Sequence, residues 1–158
     1  MTIEDTRRAA VAEAIARNSF CTLATSSAQN RPHAAGVLYA LVGRDLYVNT
    51  DADSRKARNV ADNPRVAVCI PISADPGGPP FTVSLQGSAV LLQNDDPEIT
   101  GFVEDGSLAA VTSHGELERP GTCFIRISPG RRVATYGVGM TAEEIAADPL
   151  SAFGSIEW

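Results

Sequence analysis

Leu46-Tyr-Val-Asn49-Thr50-Asp-Ala-Asp-Ser54-Arg55-Lys56-Ala-Arg58-Asn-Val-Ala-Asp62-Asn63-Pro64-Arg-Val-Ala-Val68 is the stretch on which the fold turns. Leu46 to Thr50 has strand composition, and Asp53 or Ser54 can cap a short helix that runs through about Asp62. Asn63-Pro64 stops that helix, because the residue before a proline disfavours helical geometry. Arg65 to Pro71 then reads as a strand. The first turn of a helix offers unpaired amides and the positive end of its dipole, so carboxylates are expected there. Here the first turn carries Arg55 and Lys56 instead. A bound phosphate would reverse the cost of that placement, since it accepts from the amides, from the hydroxyls of Thr50 and Ser54, and from both cations. The competing reading is a solvated helix face on which Arg55, Lys56 and Arg58 are balanced by Asp51, Asp53 and Asp62.

Working outward, Thr2 and Asp5 have capping-box spacing, and Val11, Ala14 and Ile15 recur at helical intervals up to Asn18. Phe20 to Thr25 reads as a strand, ended by the polar stretch Ser26 to Pro32. Ala34 to Val42, the turn Gly43-Arg44-Asp45 and Leu46 to Thr50 form a hairpin. Beyond the helix, residues 72–80 are too rich in Pro and Gly for regular structure, and Phe81 to Gln93 follows as a long strand. Asp95-Asp96-Pro97 opens a helical stretch to about Val103, and the pattern to Pro120 is ambiguous. Cys123 to Ile127 alternates as a strand, Pro129-Gly130 turns, and Arg132 to Val138 returns. Thr141 and Glu144 repeat the capping-box spacing before a short last helix. Six or seven strands in hairpins, with three or four short helices, favour a mainly β antiparallel barrel over a parallel α/β sheet.

The 158 residues show no repeat and no linker, so one domain spanning 1–158 is expected. Hydrophobic residues at 44% and charged residues at 20% are globular values and argue against disorder. The formal net charge of -6 repels a polyanion, so no nucleic-acid partner is expected. No apolar run is long enough to span a bilayer and the N-terminus lacks a signal core, which makes the cytoplasm the expected location. Cys21, Cys69 and Cys123 are odd in number and scattered through apolar runs, so they read as buried free thiols and not as a disulfide framework or a metal set. Of 13 cations, the one Lys is Lys56, where a compact ammonium suits better than a planar guanidinium.

The order strand, Asn-Thr, three residues, Ser-Arg-Lys, helix, Asn-Pro, strand resembles the cofactor-phosphate motif of the pyridoxamine 5'-phosphate oxidase-like split barrels. The resemblance extends through Ala24-Thr25, Arg31-Pro32-His33, Gly36-Val37-Leu38 and Leu85-Gln86-Gly87, over roughly residues 18–93. It implies a six-stranded antiparallel split β-barrel with a few short peripheral helices, and a homodimer with the cofactor at the subunit interface. Arg55 and Lys56 would be the phosphate ligands, with Asn49, Thr50 and Ser54 in the adjoining turn. The backbone of Gly36, Val37 and Leu38 would run along the flavin ring. The implied cofactor is FMN, with a deazaflavin coenzyme as the alternative and haem third. The implied activity is an oxidoreductase acting on a small molecule, and the alternative is a non-catalytic protein that binds haem or flavin for storage or sensing. The pattern departs from the oxidase at Ala35 and Thr82, which replace a basic and an amide residue, and at the C-terminus, which lacks the oxidase's basic substrate-gripping segment; pyridoxamine phosphate is not the expected substrate.

No catalytic residue stands out. His33 reads as an exposed imidazole at a strand end and His114 as loop polarity. Gly87 reads as a bulge or a close backbone approach. Tyr136 and Trp158 either cover an apolar ring or pack as part of a tail.

Overall fold

The computed structural model describes residues 1–73 and 81–158. The irregular loop expected at 72–80 therefore lies, from residue 74 onward, outside the described residues, while Ile72 still belongs to the preceding strand. The first helix, α1 (Ile3–Arg17), begins with the expected capping box: Thr2 Oγ1 accepts from the Asp5 amide at 3.1 Å, and the Thr2 amide donates to Asp5 Oδ2 at 2.9 Å. A cap of this kind contributes about 1 kcal/mol. Val11, Ala14 and Ile15 turn inward and are buried. Two carbonyls of the last turn, which have no partner within the helix, are satisfied from outside: Asn18 Nδ2 donates to Ala14 O at 2.7 Å and the Tyr39 hydroxyl to Ile15 O at 2.6 Å.

Among the described residues eight strands form one antiparallel sheet: β1 (Phe20–Ser26), β2 (Pro32–Leu38), β3 (Ala40–Val42), β4 (Asp45–Asp51), β5 (Arg65–Ile72), β6 (Phe81–Leu92), β7 (Thr122–Tyr136) and β8 (Phe153–Glu157). Their order is β2-β1-β5-β6-β7-β4-β3, with β8 added to the far half of β7. The sheet curls until the edge strand β2 touches β4, which makes the split barrel. Two features raise the count from six to eight. Tyr39 divides the expected strand Ala34 to Val42 by turning its amide to Ser19 O at 2.8 Å and burying its ring completely. The second feature is β8, which pairs Phe153 to Glu157 against Tyr136 to Arg132.

Pro129-Gly130 does not turn the chain. β7 runs on through it, and the extra residues of a bulge lie in β7: only Gln86 separates Leu85 from Gly87 in β6, while Gly130, Arg131 and Arg132 separate their partners Val133 and Pro129. The close approach expected at Gly87 is present, since a Cβ there would lie 2.3 Å from Ser128 O.

The barrel interior is filled from every strand by residues such as Leu23, Val48, Val68, Leu85 and Ile125. A second cluster, Tyr47, Phe124, Ile99, Leu108 and Val111, lies on the outer face of β4 and β7. It is covered by α3 (Pro97–Glu104) and by the segment whose structure the pattern left open, which folds as single 3-10 turns at Ala109–Val111 and Glu116–Glu118. Arg126 Nη1 donates to both oxygens of Glu98 at 2.9 Å and the Tyr47 hydroxyl donates to Glu98 Oε2 at 3.3 Å, fastening α3 to the sheet.

The last helix, α4 (Ala142–Ala147), carries the expected second capping box. Trp158 is a packed tail: its amide donates to Arg131 O and its indole to Arg44 O, while Arg44 donates back to Trp158 O. Among the described residues no helix is long and apolar enough to cross a membrane.

Candidate functional site

The helix expected after the Asn-Thr strand is α2 (Arg55–Asp62), with Ser54 as its N-cap. Ser54 Oγ accepts from the Ala57 amide at 3.3 Å, and Thr50 Oγ1 donates to Ser54 Oγ at 3.4 Å. The Ser54 hydroxyl hydrogen therefore remains free to donate to a ligand. The Ser54 amide closes a turn onto Asp51 O at 3.0 Å, so the strand feeds directly into the helix. Asn63 ends the helix by returning its amide to Asn59 O at 2.7 Å.

The amphipathic spacing turns Ala57, Asn59 and Val60 inward and leaves Arg55 and Arg58 exposed, with Lys56 half-buried. Asn59 Nδ2 donates to Thr25 Oγ1 at 3.0 Å, a buried bond that ties α2 to β1. The first turn of α2 holds no acidic residue. Among the described residues none of Arg55, Lys56, Arg58, Asp53 and Asp62 forms an ion pair, and Asp51 pairs instead with Arg119 at 3.2 Å. The aspartates that would neutralise a solvated helix face do not bind its cations.

Consecutive strand residues face opposite ways, and this divides the expected residues. Thr50 joins Val48 on the barrel side, beside Ser54. Asn49 joins Tyr47 on the outer side, where its Nδ2 lies 3.5 Å from Asn94 Oδ1, and Asn94 Nδ2 in turn donates to Thr122 Oγ1 at 2.8 Å. Thr50, Ser54, Arg55 and Lys56 are thus brought together, and the Asn49 side chain is not with them.

Gly36, Val37 and Leu38 lie on β2, an edge strand of the sheet, so part of their backbone hydrogen-bonding capacity points away from β1. Val37 is buried in the core, whereas Gly36 and Leu38 face outward beside Phe20. The Phe20 ring lies over Gly36, where a Cβ would approach it to 2.8 Å. Phe20 and Leu38 are both about half exposed.

His33 is not the exposed imidazole its position suggested. It is half-buried opposite Thr25, with Nδ1 closed off from solvent and unpartnered. His114 is a surface residue of the loop, as expected, with Nδ1 3.4 Å from Glu116. Ala35 is half-buried on the inward side of β2, and Thr82 sits at the end of β6 that pairs with Pro71, away from α2.

Two neighbours of the site had no signal in the pattern. Gly121 O accepts from the Ala52 amide at 2.8 Å, and Arg119 holds Asp51, so the ambiguous segment braces the turn from outside. Cys123 is a buried free thiol opposite Thr50. Burial first, and the Asp51 carboxylate second, push its pKa up, which keeps it protonated and unreactive.

The profile of the family described as Pyridoxamine 5'-phosphate oxidase matches residues 8–134. Among solved structures, the haem storage protein HutZ from Vibrio cholerae is similar at 18% identity, covering 88% of this chain and 98% of its own, with a TM-score of 0.69. A pyridoxamine 5'-phosphate oxidase-related, FMN-binding protein from Nostoc punctiforme is similar at 18% identity over 96% and 95% of the two chains, with a TM-score of 0.58. An F420 reductase is similar at 18% identity over 75% and 91%, with a TM-score of 0.53. At these identities the likeness is one of fold. No curated protein sequence matches the chain.

Proposed function

The chain belongs to the pyridoxamine 5'-phosphate oxidase family, and on that premise we propose that it holds a phosphate-bearing flavin-type cofactor at the start of α2 and uses it as an oxidoreductase on a small molecule. The observation that carries this reading is the pair Arg55 and Lys56, unpaired among the described residues, in a first turn without acids beside the Thr50 and Ser54 hydroxyls. These groups suit a phosphate dianion: the start of α2 offers first-turn amides, the free Ser54 hydroxyl hydrogen and two neighbouring cations. The free edge of β2 at Gly36 to Leu38 supports placing a planar ring there, with backbone groups bonding its rim. A flavin bound in this way supplies hydride or electron transfer. The residues of the chain bind the phosphate, orient the ring and shield one side of it.

FMN is the first choice of cofactor and a deazaflavin coenzyme the second, and the fold likeness to an FMN-binding protein and to an F420 reductase supports both. We propose further that the cofactor lies between two copies of the chain. Supporting this is the outer face of β1, β5, β6 and β7, where Thr22, Ala24, Ala67, Ser84 and Ala134 line a shallow, mainly apolar hollow of about 550 Å³. Small side chains let a second sheet approach closely.

A second reading, a non-catalytic holder of haem or flavin, is favoured by the likeness to the haem storage protein. The test is a visible spectrum of the purified protein followed by titration with FMN, the deazaflavin and haemin. FMN or deazaflavin binding at micromolar levels that is lost in Arg55→Ala/Lys56→Ala supports the proposal. Haemin binding alone favours the second reading, and failure of both flavins to bind overturns the first.

A further inference from the structure

The first half of α1 lies over the end of the barrel where β7 and β8 pair, at the opposite end of β7 from Cys123 and Thr50. The residues that meet there are small: Thr6 and Ala10 on α1, Ala152 and Gly154 leading into and within β8. Gly154 pairs with Thr135, and a Cβ on it would come within 2.9 Å of Thr135 Oγ1, so glycine keeps the space open. The result is a cavity of about 370 Å³ with the buried side chains of Val11 and Ile156 in its wall. Small-molecule sites begin at about 300 Å³.

Arg7 is the one charged residue among the described residues that line this cavity, and it is exposed. Among the described residues it forms no ion pair. The hydroxyls of Thr6 and Ser151 already donate to the carbonyls of Thr2 at 3.1 Å and Asp148 at 2.8 Å, and Ser155 Oγ accepts from Arg132 at 2.8 Å. Thr135 Oγ1, facing Gly154, has no hydrogen-bond partner among the described residues. An apolar wall, an unpaired guanidinium and a free hydroxyl suit a molecule with an apolar body and one carboxylate, because a guanidinium grips a carboxylate through two parallel hydrogen bonds. We propose that this cavity binds a small organic monocarboxylate, its apolar body against Val11 and Ile156 and its carboxylate on Arg7. The site lies apart from the start of α2 and does not depend on what that helix binds.

The experiment is calorimetric titration of the full chain with octanoate, 1-octanol and octylammonium, which share one apolar body and differ in charge. Octanoate is expected to bind at one site per chain about tenfold tighter than 1-octanol, with octylammonium the weakest. Arg7→Gln reduces octanoate to the affinity of 1-octanol and leaves 1-octanol unchanged. Ala10→Phe, which fills the cavity from α1, removes the binding of both. Arg7→Gln changes only the surface, so it carries the test whatever Ala10→Phe does to folding. No saturable binding of octanoate, equal affinity for octanoate and octylammonium, or unchanged octanoate affinity in Arg7→Gln overturns the proposal. Displacement of octanoate by FMN also overturns it, since the two ligands would then share one site.

Discussion

Asn59 of α2 donates from Nδ2 to Thr25 Oγ1 of β1 at 3.0 Å, and both residues are buried. The helix that carries Arg55 and Lys56 is thereby fixed to the sheet by a side-chain bond that water cannot replace. Removing one partner of a buried hydrogen bond costs about 1–3 kcal/mol, more than the bond contributes, because the other is left unsatisfied. Asn59→Ala is expected to lower stability by that amount in urea denaturation. Asn59→Leu combined with Thr25→Val, which removes both polar groups, is expected to cost less than the single change. Equal or greater loss in the double variant would show that the bond is not the source of the effect.

The bulge where β7 pairs with β6 gives a sharper test. A Cβ at Gly87 would lie 2.3 Å from Ser128 O, a backbone atom that cannot move without displacing β7. Gly87→Ala is expected to cost about 1–3 kcal/mol or more. Gly43, in the β3–β4 turn with φ of 62°, has open space around it, and Asn tolerates that conformation. Gly43→Asn is therefore expected to melt within a few degrees of the parent, and a comparison of the two melting curves decides.

Alkaline pH should destabilise the protein through its buried acids. Burial, with Cys69 second, pushes the Cys21 thiol from 9.0 up to about 12, and burial, with Glu98 second, pushes the Tyr47 phenol from 10.0 up to about 12. Both groups are neutral in either state at pH 7. Above about pH 9 the unfolded chain releases these protons while the folded chain keeps them, so stability falls with rising pH until the folded groups ionise near pH 12. Urea midpoints measured from pH 8 to 11 are expected to decline, and the decline should be smaller in Cys21→Ala after allowance for lost packing. A flat profile in the parent would contradict the burial of these groups. The same burial predicts that Cys21 resists alkylation in the native state and becomes reactive on unfolding.

Salt should separate the phosphate from the ring. If Arg55 and Lys56 act on a dianion at a half-exposed site, raising ionic strength from about 0.01 to 1 M shortens the Debye length from about 30 to 3 Å. FMN affinity is expected to fall by roughly tenfold or more, while riboflavin affinity stays within about twofold. Equal salt dependence for the two ligands would place the phosphate away from these cations.

The local features of this chain were readable without a structure. Both capping boxes, the Ser54 cap and the stop at Asn63-Pro64 involve residues a few positions apart, whose side chains act on their own backbone. The gathering of Thr50, Ser54, Arg55 and Lys56 is of the same kind, since a strand end, a turn and a helix start are contiguous. What failed was anything needing a distant partner. Pro129-Gly130 has the composition of a turn, yet it continues a strand, with β7 bulged there against β6. Tyr39 looks like one more strand residue, yet it leaves the ladder to bond Ser19 and Ile15.

The stretch from Leu46 to Val68 therefore carried the fold family and the cationic helix start, because both follow from residue type and short spacing. Tertiary structure decided which way each side chain looks and what comes to meet it. The curl of the sheet placed Asn49 outward against Asn94, separating it from Thr50, and brought Arg119, 68 residues further along the chain, onto Asp51. Strand pairing sets the face of every side chain by its register, and register is settled by the whole sheet at once, so no local pattern could have encoded either contact.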